Sequence, residues 1–223
     1  MRFKTPELYQ KMMKNTLRMA TEVDTACGSI LGKLKEQGVL DSTLIIFTSD
    51  NGNMHGHHGL ADKWYPYEES LRVPLVVKDP RMPLDQVGTE NSEFILNIDL
   101  APTILSAAGV SPPAIMQGKD IASMYLEEGR SKSATSIATA AATNIWRKEF
   151  IYEFRDGNKY IPNSVALVQK GFKFISWEDR GYEQVFNLDN DPYEEIDLWN
   201  VTGEAVLREL RDDMHVYSEL IKR

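Results

Sequence analysis

The 223-residue sequence has a single cysteine, Cys27, so no disulfide can form within the chain and cysteine usage gives no redox compartment. It has no apolar run long enough to span a bilayer. It also lacks net positive charge. Its 25 Lys and Arg stand against 33 Asp and Glu, a formal net charge of −8, which argues against a nucleic-acid surface. An anionic substrate stays open, because a few cations in one pocket reverse the local field. The first residues pass straight into a helical pattern with no leader-like apolar core. The one Asn-x-Thr sequon, Asn200-Val201-Thr202, does not assign a compartment, so localisation is left unknown.

The elements that are present alternate. Thr5-Pro6-Glu7 reads as a helix start: a capping hydroxyl, proline at the first helical position and an acid facing the dipole. Tyr9, Met13, Leu17, Ala20, Val23, Cys27, Ile30 or Leu31, and Leu34 then recur at spacings of three and four, predicting one long helix closed by Gly38. On that face Cys27 is expected to be a buried core thiol. After a turn at Leu40-Asp41-Ser42, Thr43 to Thr48 is a nearly continuous apolar strand of the kind buried on both faces in an α/β sheet. Val73 to Val77 is a second short strand, and Asp99 is placed to cap a helix running through Pro102 towards Gly109.

Residues 1–130 therefore read as an α/β layered domain and 131–145 as a loop or insert. Residues 146–223 read as a small α+β subdomain. Its strand-like runs are Phe150–Phe154, Ser164–Val168, Phe172–Trp177 and Gln184–Leu188, separated by turns such as Asp156-Gly157-Asn158. An amphipathic helix follows, with Val206, Leu210, Met214, Tyr217 and Ile221 on one face and His215, Asp212 and Asp213 on a polar one.

The chemistry concentrates in "SDNGNMHGHHGLADKW", residues 49 to 64. In open α/β sheets, ligands bind beyond the carboxyl ends of the strands, where Asp50 and Asn51 stand. A carboxylate beside an amide oxygen is a hard donor pair suited to Ca²⁺, with Mg²⁺ as the alternative. The glycines of the loop allow close approach to a ligand, and Lys63 returns one cation to the same region. Zinc on His55, His57 and His58 is the competing reading, although adjacent histidines seldom face one ion and the i, i+4 helical spacing of zinc hydrolases is absent. A plain polar loop is the third.

Residues 43 to 77, "TLIIFTSDNGNMHGHHGLADKWYPYEESLRVPLVV", resemble the second conserved block of the type I sulfatases, within the alkaline phosphatase superfamily. The pattern is an apolar strand, Ser-Asp-Asn-Gly, a loop ending in His-Gly-Leu, a lysine, Tyr-Glu-Glu and Arg-Val-Pro. The flanks, Asp99-Leu100-Ala101-Pro102-Thr103 and "VFNLDNDPYEEIDLWN", are similar as well, so the likeness runs from about Tyr9 to the C-terminal helix. It implies part of an alkaline-phosphatase-like layered sheet, followed by a small antiparallel sheet with a C-terminal helix. It also implies Ca²⁺ on Asp50 and Asn51, with Lys63 on the sulfate group and His58 lining the same pocket as catalytic or substrate-binding residues. His55 and His57 are expected at the rim, Glu69 and Arg72 match the pattern with Arg72 in a structural ion pair that holds the loop, and Asp99 is expected in helix capping and packing. The substrate implied is a sulfated small molecule or polysaccharide.

The family nucleophile is a formylglycine made within Cys-x-Pro-Ser-Arg or a serine equivalent, and this sequence contains neither. Cys27 leads into Gly28-Ser29-Ile30, and Ser111-Pro112-Pro113 lacks the Ser-Arg that should follow. The second acidic pair for the metal, and the lysine and histidine of the middle segment, are also missing. The chain is therefore expected to be the C-terminal half of a sulfatase, inactive alone, with the other half or a second copy as partner. Family members are often extracellular, periplasmic or lysosomal. An inert binding module, or a phosphate or phosphonate ester hydrolase, is the alternative, though asparagine at position 51 favours sulfate over the zinc phosphatases.

Overall fold

Thr5, Pro6 and Glu7 start a helix as their chemistry requires. The Thr5 hydroxyl accepts the Leu8 amide at 3.3 Å, and α1 spans Pro6–Glu36. Gly38, at φ 71°, turns the chain through the left-handed region just beyond it. The structure is a computed structural model that describes residues 4–126, 146–156 and 160–221. The expected loop at 131–145 and the Gly157-Asn158 turn lie outside the described residues. The chain divides into two units, Met1–Phe47 with Val76–Met82, and Thr48–Leu75 with Pro83–Arg223.

The first unit holds α1 and most of a two-stranded sheet, β1 (Ile45–Thr48) beside β2 (Leu75–Lys78). Lys78 Nζ donates to the Leu40 carbonyl at 2.9 Å. Two expectations are corrected here. No residue of α1 is buried, and Cys27 is half-buried rather than a core thiol. β1 is not covered on both faces, with Phe47 45% exposed. The reason is the same for both: two short strands offer too little sheet to bury the apolar stripe of a 31-residue helix.

The second unit contains α2 (Glu68–Leu71), α3 (Leu100–Ala107), β3 (Glu149–Phe154), β4 (Ser164–Gln169), β5 (Phe172–Trp177), β6 (Tyr182–Asn187) and α4 (Glu204–Ile221). The four strands form an antiparallel meander in sequence order. Register places Ala166 opposite Ile175 and Leu167 opposite Phe174, so alternate side chains sort to opposite faces. On one face Leu167, Phe174 and Val185 pack against Leu207, Leu210, Met214 and Tyr217 of α4. Spacings of three, four and three put those four residues on one helical stripe. Val206, expected on that stripe, is 46% exposed, and Leu207 takes its place.

The other sheet face carries Ala166, Ile175, Trp177 and Phe186, and against it lie Met54, Leu60, Tyr65 and Tyr67. The loop that follows β1 is therefore built onto the meander. Each large apolar side chain sealed there contributes roughly 1.5–3 kcal/mol. That burial holds a polar, glycine-containing loop in one conformation.

Asp99 corrects a further expectation. Its side chain makes no cap to α3. Instead the buried carboxylate accepts the Leu96 amide and the Lys119 amide, each at 2.7 Å, and is gripped by both terminal nitrogens of Arg147. The residue fixes the turn before the helix rather than the helix end. Asp212 and His215 of α4 are exposed as expected.

Candidate functional site

Asp50 and Asn51 leave β1 in a turn held by its own side chains. Asp50 Oδ1 accepts the Asn51 amide at 2.9 Å and the Ser49 hydroxyl at 3.3 Å. The Asn51 amide holds the Asp50 carboxyl below the usual carboxylate range, so the group is ionised at neutral pH. Asp50 Oδ2 belongs to a side chain 81% exposed. The next residue is locked: the Gly52 amide donates to the Ser70 carbonyl at 2.9 Å, and a Cβ on Gly52 would stand 2.0 Å from the Glu69 carbonyl oxygen. Only glycine fits so close to α2.

Lys63 returns to this turn. Its Nζ donates to Asn51 Oδ1 at 2.9 Å and stands 4.0 Å from Asp50 Oδ2. The loop between reaches that arrangement through left-handed backbone at His55 (φ 48°), Gly56 (101°), His58 (53°) and Gly59 (70°), then on both sides of the lysine at Asp62 (65°) and Trp64 (81°). Non-glycine residues there cost about 1–3 kcal/mol each, a cost that surrounding structure must offset. Here the offset is Met54, fully buried in the sheet face, with its amide donating to the Asp62 carbonyl at 2.7 Å.

His57 and His58 both meet Glu69. The His58 ring stacks on Tyr67 with centroids 4.0 Å apart, and its Nε2 lies 3.8 Å from Glu69 Oε2. His57 Nδ1 is 2.9 Å from Glu69 Oε1. Burial holds the His58 imidazole below its ordinary range, against the opposing pull of Glu69. The expected rim residue His55 donates its backbone amide to Asn53 Oδ1 at 3.0 Å. The structure thus joins Asp50, Asn51 and Lys63 in one cluster, while His57 and His58 gather on Glu69. Arg72, expected in a structural ion pair, lies 3.9 Å from Glu68, with its side chain 85% exposed.

Several structural partners escaped sequence reading. Lys173 is fully buried and pairs with Glu68 at 2.9 Å and Glu194 at 2.8 Å. Its signal was a lone lysine inside the apolar run Phe172–Trp177. Glu194 Oε2 accepts the Glu68 amide at 2.7 Å, tying the turn after β6 to the start of α2. Burial raises the Glu194 carboxyl above its usual range. His58, Glu69 and Glu194 bring ligand-type atoms within 4.8 Å of one another, but Glu194 is already committed to Lys173 and the α2 backbone. Asn97 donates from Nδ2 to the Asp50 carbonyl at 2.9 Å, a contact that no spacing in the sequence reveals.

The donor set is consistent with a hard cation. Asp50 and Asn51 present a carboxylate and an amide oxygen, both within 4.0 Å of a single ammonium, so the two oxygens face one centre of positive charge. They amount to two of the six to eight oxygens that Ca²⁺ takes.

The profile of the family described as N-sulphoglucosamine sulphohydrolase, C-terminal, matches residues 56–221. The chain belongs to this sulfatase family. The sulfatase chain is 30% identical over 200 residues to N-acetylglucosamine-6-O-sulfatase of Bacteroides thetaiotaomicron, covering 88% of itself and 33% of that relative. It superposes with a TM-score of 0.77 and 28% identity on a structure solved with its substrate D-glucosamine-2-N,6-O-disulfate, covering 96% of itself and 41% of that chain. Phosphonate monoester hydrolase of Agrobacterium radiobacter is similar too, at a TM-score of 0.65 and 27% identity over 87% of this chain and 40% of that one. These likenesses carry the alkaline-phosphatase-like sulfatase fold. The chain spans about a third of the length of the curated relative and two fifths of the solved ones.

Proposed function

We propose that this chain supplies the cation and sulfate-bracing half of a sulfate ester hydrolase site that acts on a sulfated sugar. The observation that carries the reading is the Lys63 ammonium, 2.9 Å from Asn51 and 4.0 Å from Asp50. Asp50 and Asn51 would hold Ca²⁺, with Mg²⁺ as the alternative. The bound ion would neutralise charge on the sulfate oxygens. Lys63 binds and orients the same sulfate from its side of the site, at the end of a loop that strain and burial keep from drifting. His58 acts as the wall of that loop, its ring against Tyr67. The nucleophile is a formylglycine on a separate segment, so this chain alone turns over no ester.

Relatives named for a glucosamine 6-O-sulfate and for a disulfated glucosamine support an amino-sugar substrate. The phosphonate monoester hydrolase neighbour supports a second reading, in which the same cluster braces a phosphonate. The test joins this chain to a nucleophile-bearing sulfatase N-terminal segment and compares aryl sulfate with aryl phosphonate. We expect sulfate turnover to dominate and Lys63→Ala to lower it by two orders of magnitude or more, about 3 kcal/mol of transition-state stabilisation, with folding intact. Near-normal turnover in Lys63→Ala would overturn the role of Lys63, and preference for phosphonate would overturn the substrate class.

A further inference from the structure

We infer that Asn97 is a positioning residue for the cation site, acting through the backbone of Asp50. The inference rests on the proposed cation role of Asp50 and deepens it.

A carboxylate on an exposed turn has no fixed aim unless the peptide unit it is hydrogen-bonded to is held. Downstream, the Gly52 amide is fixed by the Ser70 carbonyl and the close approach of α2. Upstream, the Asp50 carbonyl receives one described side-chain hydrogen bond, from Asn97 Nδ2 at 2.9 Å. The two contacts hold the peptide units on either side of Asn51, and the first of these, to which the Asp50 carbonyl belongs, is the unit whose amide meets Asp50 Oδ1. Rotation of that peptide would break the Asn51 amide contact and turn the carboxylate away from Lys63.

Asn97 suits this task because its own platform is rigid. It opens the turn Asn97–Asp99, and buried Asp99 ties that turn to the Leu96 amide, the Lys119 amide and the Arg147 guanidinium. The Asp99 carbonyl accepts the Thr103 hydroxyl at 2.6 Å, and Thr103 Oγ1 accepts the Ile121 amide at 2.9 Å. On its other side, Gly118 approaches so closely that a Cβ would lie 1.9 Å from the Ile98 carbonyl oxygen. The Asn97 side chain projects from this clamp as an exposed group. Its removal therefore opens no cavity, which separates positioning from stability.

The experiment has two arms. In calcium-free buffer, amide exchange at Asn51 is followed by NMR in the wild type, Asn97→Ala and Asn97→Leu, the last keeping bulk without a donor. We expect exchange to speed up about fivefold or more in both variants, as loss of one hydrogen bond allows, with the melting temperature unchanged. Unchanged exchange overturns the inference, whatever the metal does. In the second arm, calcium titration by calorimetry compares Asp50→Ala with Asn97→Ala. Weakening in both, about tenfold for Asn97→Ala, supports the inference. Weakening in Asp50→Ala alone overturns it. If Asp50→Ala is silent, the cation reading falls, and the exchange arm still decides whether Asn97 holds the turn.

Discussion

His58 spends its imidazole on Tyr67 and Glu69, and this makes it a pH-sensitive part of the loop. Desolvation lowers its pKa in the folded chain. Glu69, Glu195 and Asp191 pull the other way, and His57 adds to the lowering. The unfolded chain then binds more protons between the folded value and the ordinary imidazole range near 6.5. The contribution of His58 is fully present above that range and is lost as pH falls through the folded value. Thermal melts from about pH 7.5 to 5 should therefore fall more steeply for the wild type than for His58→Gln. Equal slopes would show that the ring stays hydrated.

Among elements, the clamp around Asp99 governs the segment that reaches the site. Asp99 is fully buried and Arg147 is its ionic partner, with Arg147 Nη2 2.6 Å from Asp99 Oδ1. Removing one partner of such a pair leaves an uncompensated buried charge, at a cost of about 3–5 kcal/mol. Arg147→Ala should lower stability by that amount in denaturant titration, while Arg147→Lys keeps charge without the planar fork and falls between. This clamp was legible only in outline. The Asp-Leu-Ala-Pro-Thr pattern gave the helix, but Arg147 lies 48 residues further on, and nothing local links the two. The meander was legible as strand-like runs bounded by turn residues, a local signal, although β6 begins at Tyr182, two residues before the run Gln184–Leu188. The placement of the loop on the meander was not. Met54 and Tyr67 against Ile175, Trp177 and Phe186 are long-range pairings that no periodicity encodes. That Lys63 returns to the turn at Asp50 and Asn51 was legible in the order of the loop and in the family resemblance. The stacking of His58 and the reach of Asn97 could not, because both depend on where distant backbone arrives.

For the molecule as a whole, α1 leaves several large apolar side chains exposed. Leu17, Met19, Val23 and Ile30 are 64, 62, 52 and 62% exposed. Apolar side chains exposed in that number on a long amphipathic helix have the composition of a surface meant to be covered. The double substitution Leu17→Glu and Ile30→Glu should cut binding of a hydrophobic dye and reduce self-association in sedimentation, with the main unfolding transition unmoved. That transition belongs to the unit containing both apolar clusters, neither of which includes α1. A shifted transition would mean that α1 is already part of the cooperative core. Among the described residues, no helix is long and apolar enough to cross a membrane.

The Asn51-Gly52 dipeptide also runs a clock. Asparagine before glycine is prone to lose ammonia when the following backbone nitrogen attacks its side-chain amide. In the folded chain that nitrogen is committed to the Ser70 carbonyl, and Asn51 Nδ2 donates to the Gly52 carbonyl at 2.8 Å. Ageing of this residue to aspartate or isoaspartate should therefore be slower in the folded chain than in an unfolded peptide of the same sequence, which mass spectrometry of aged samples checks.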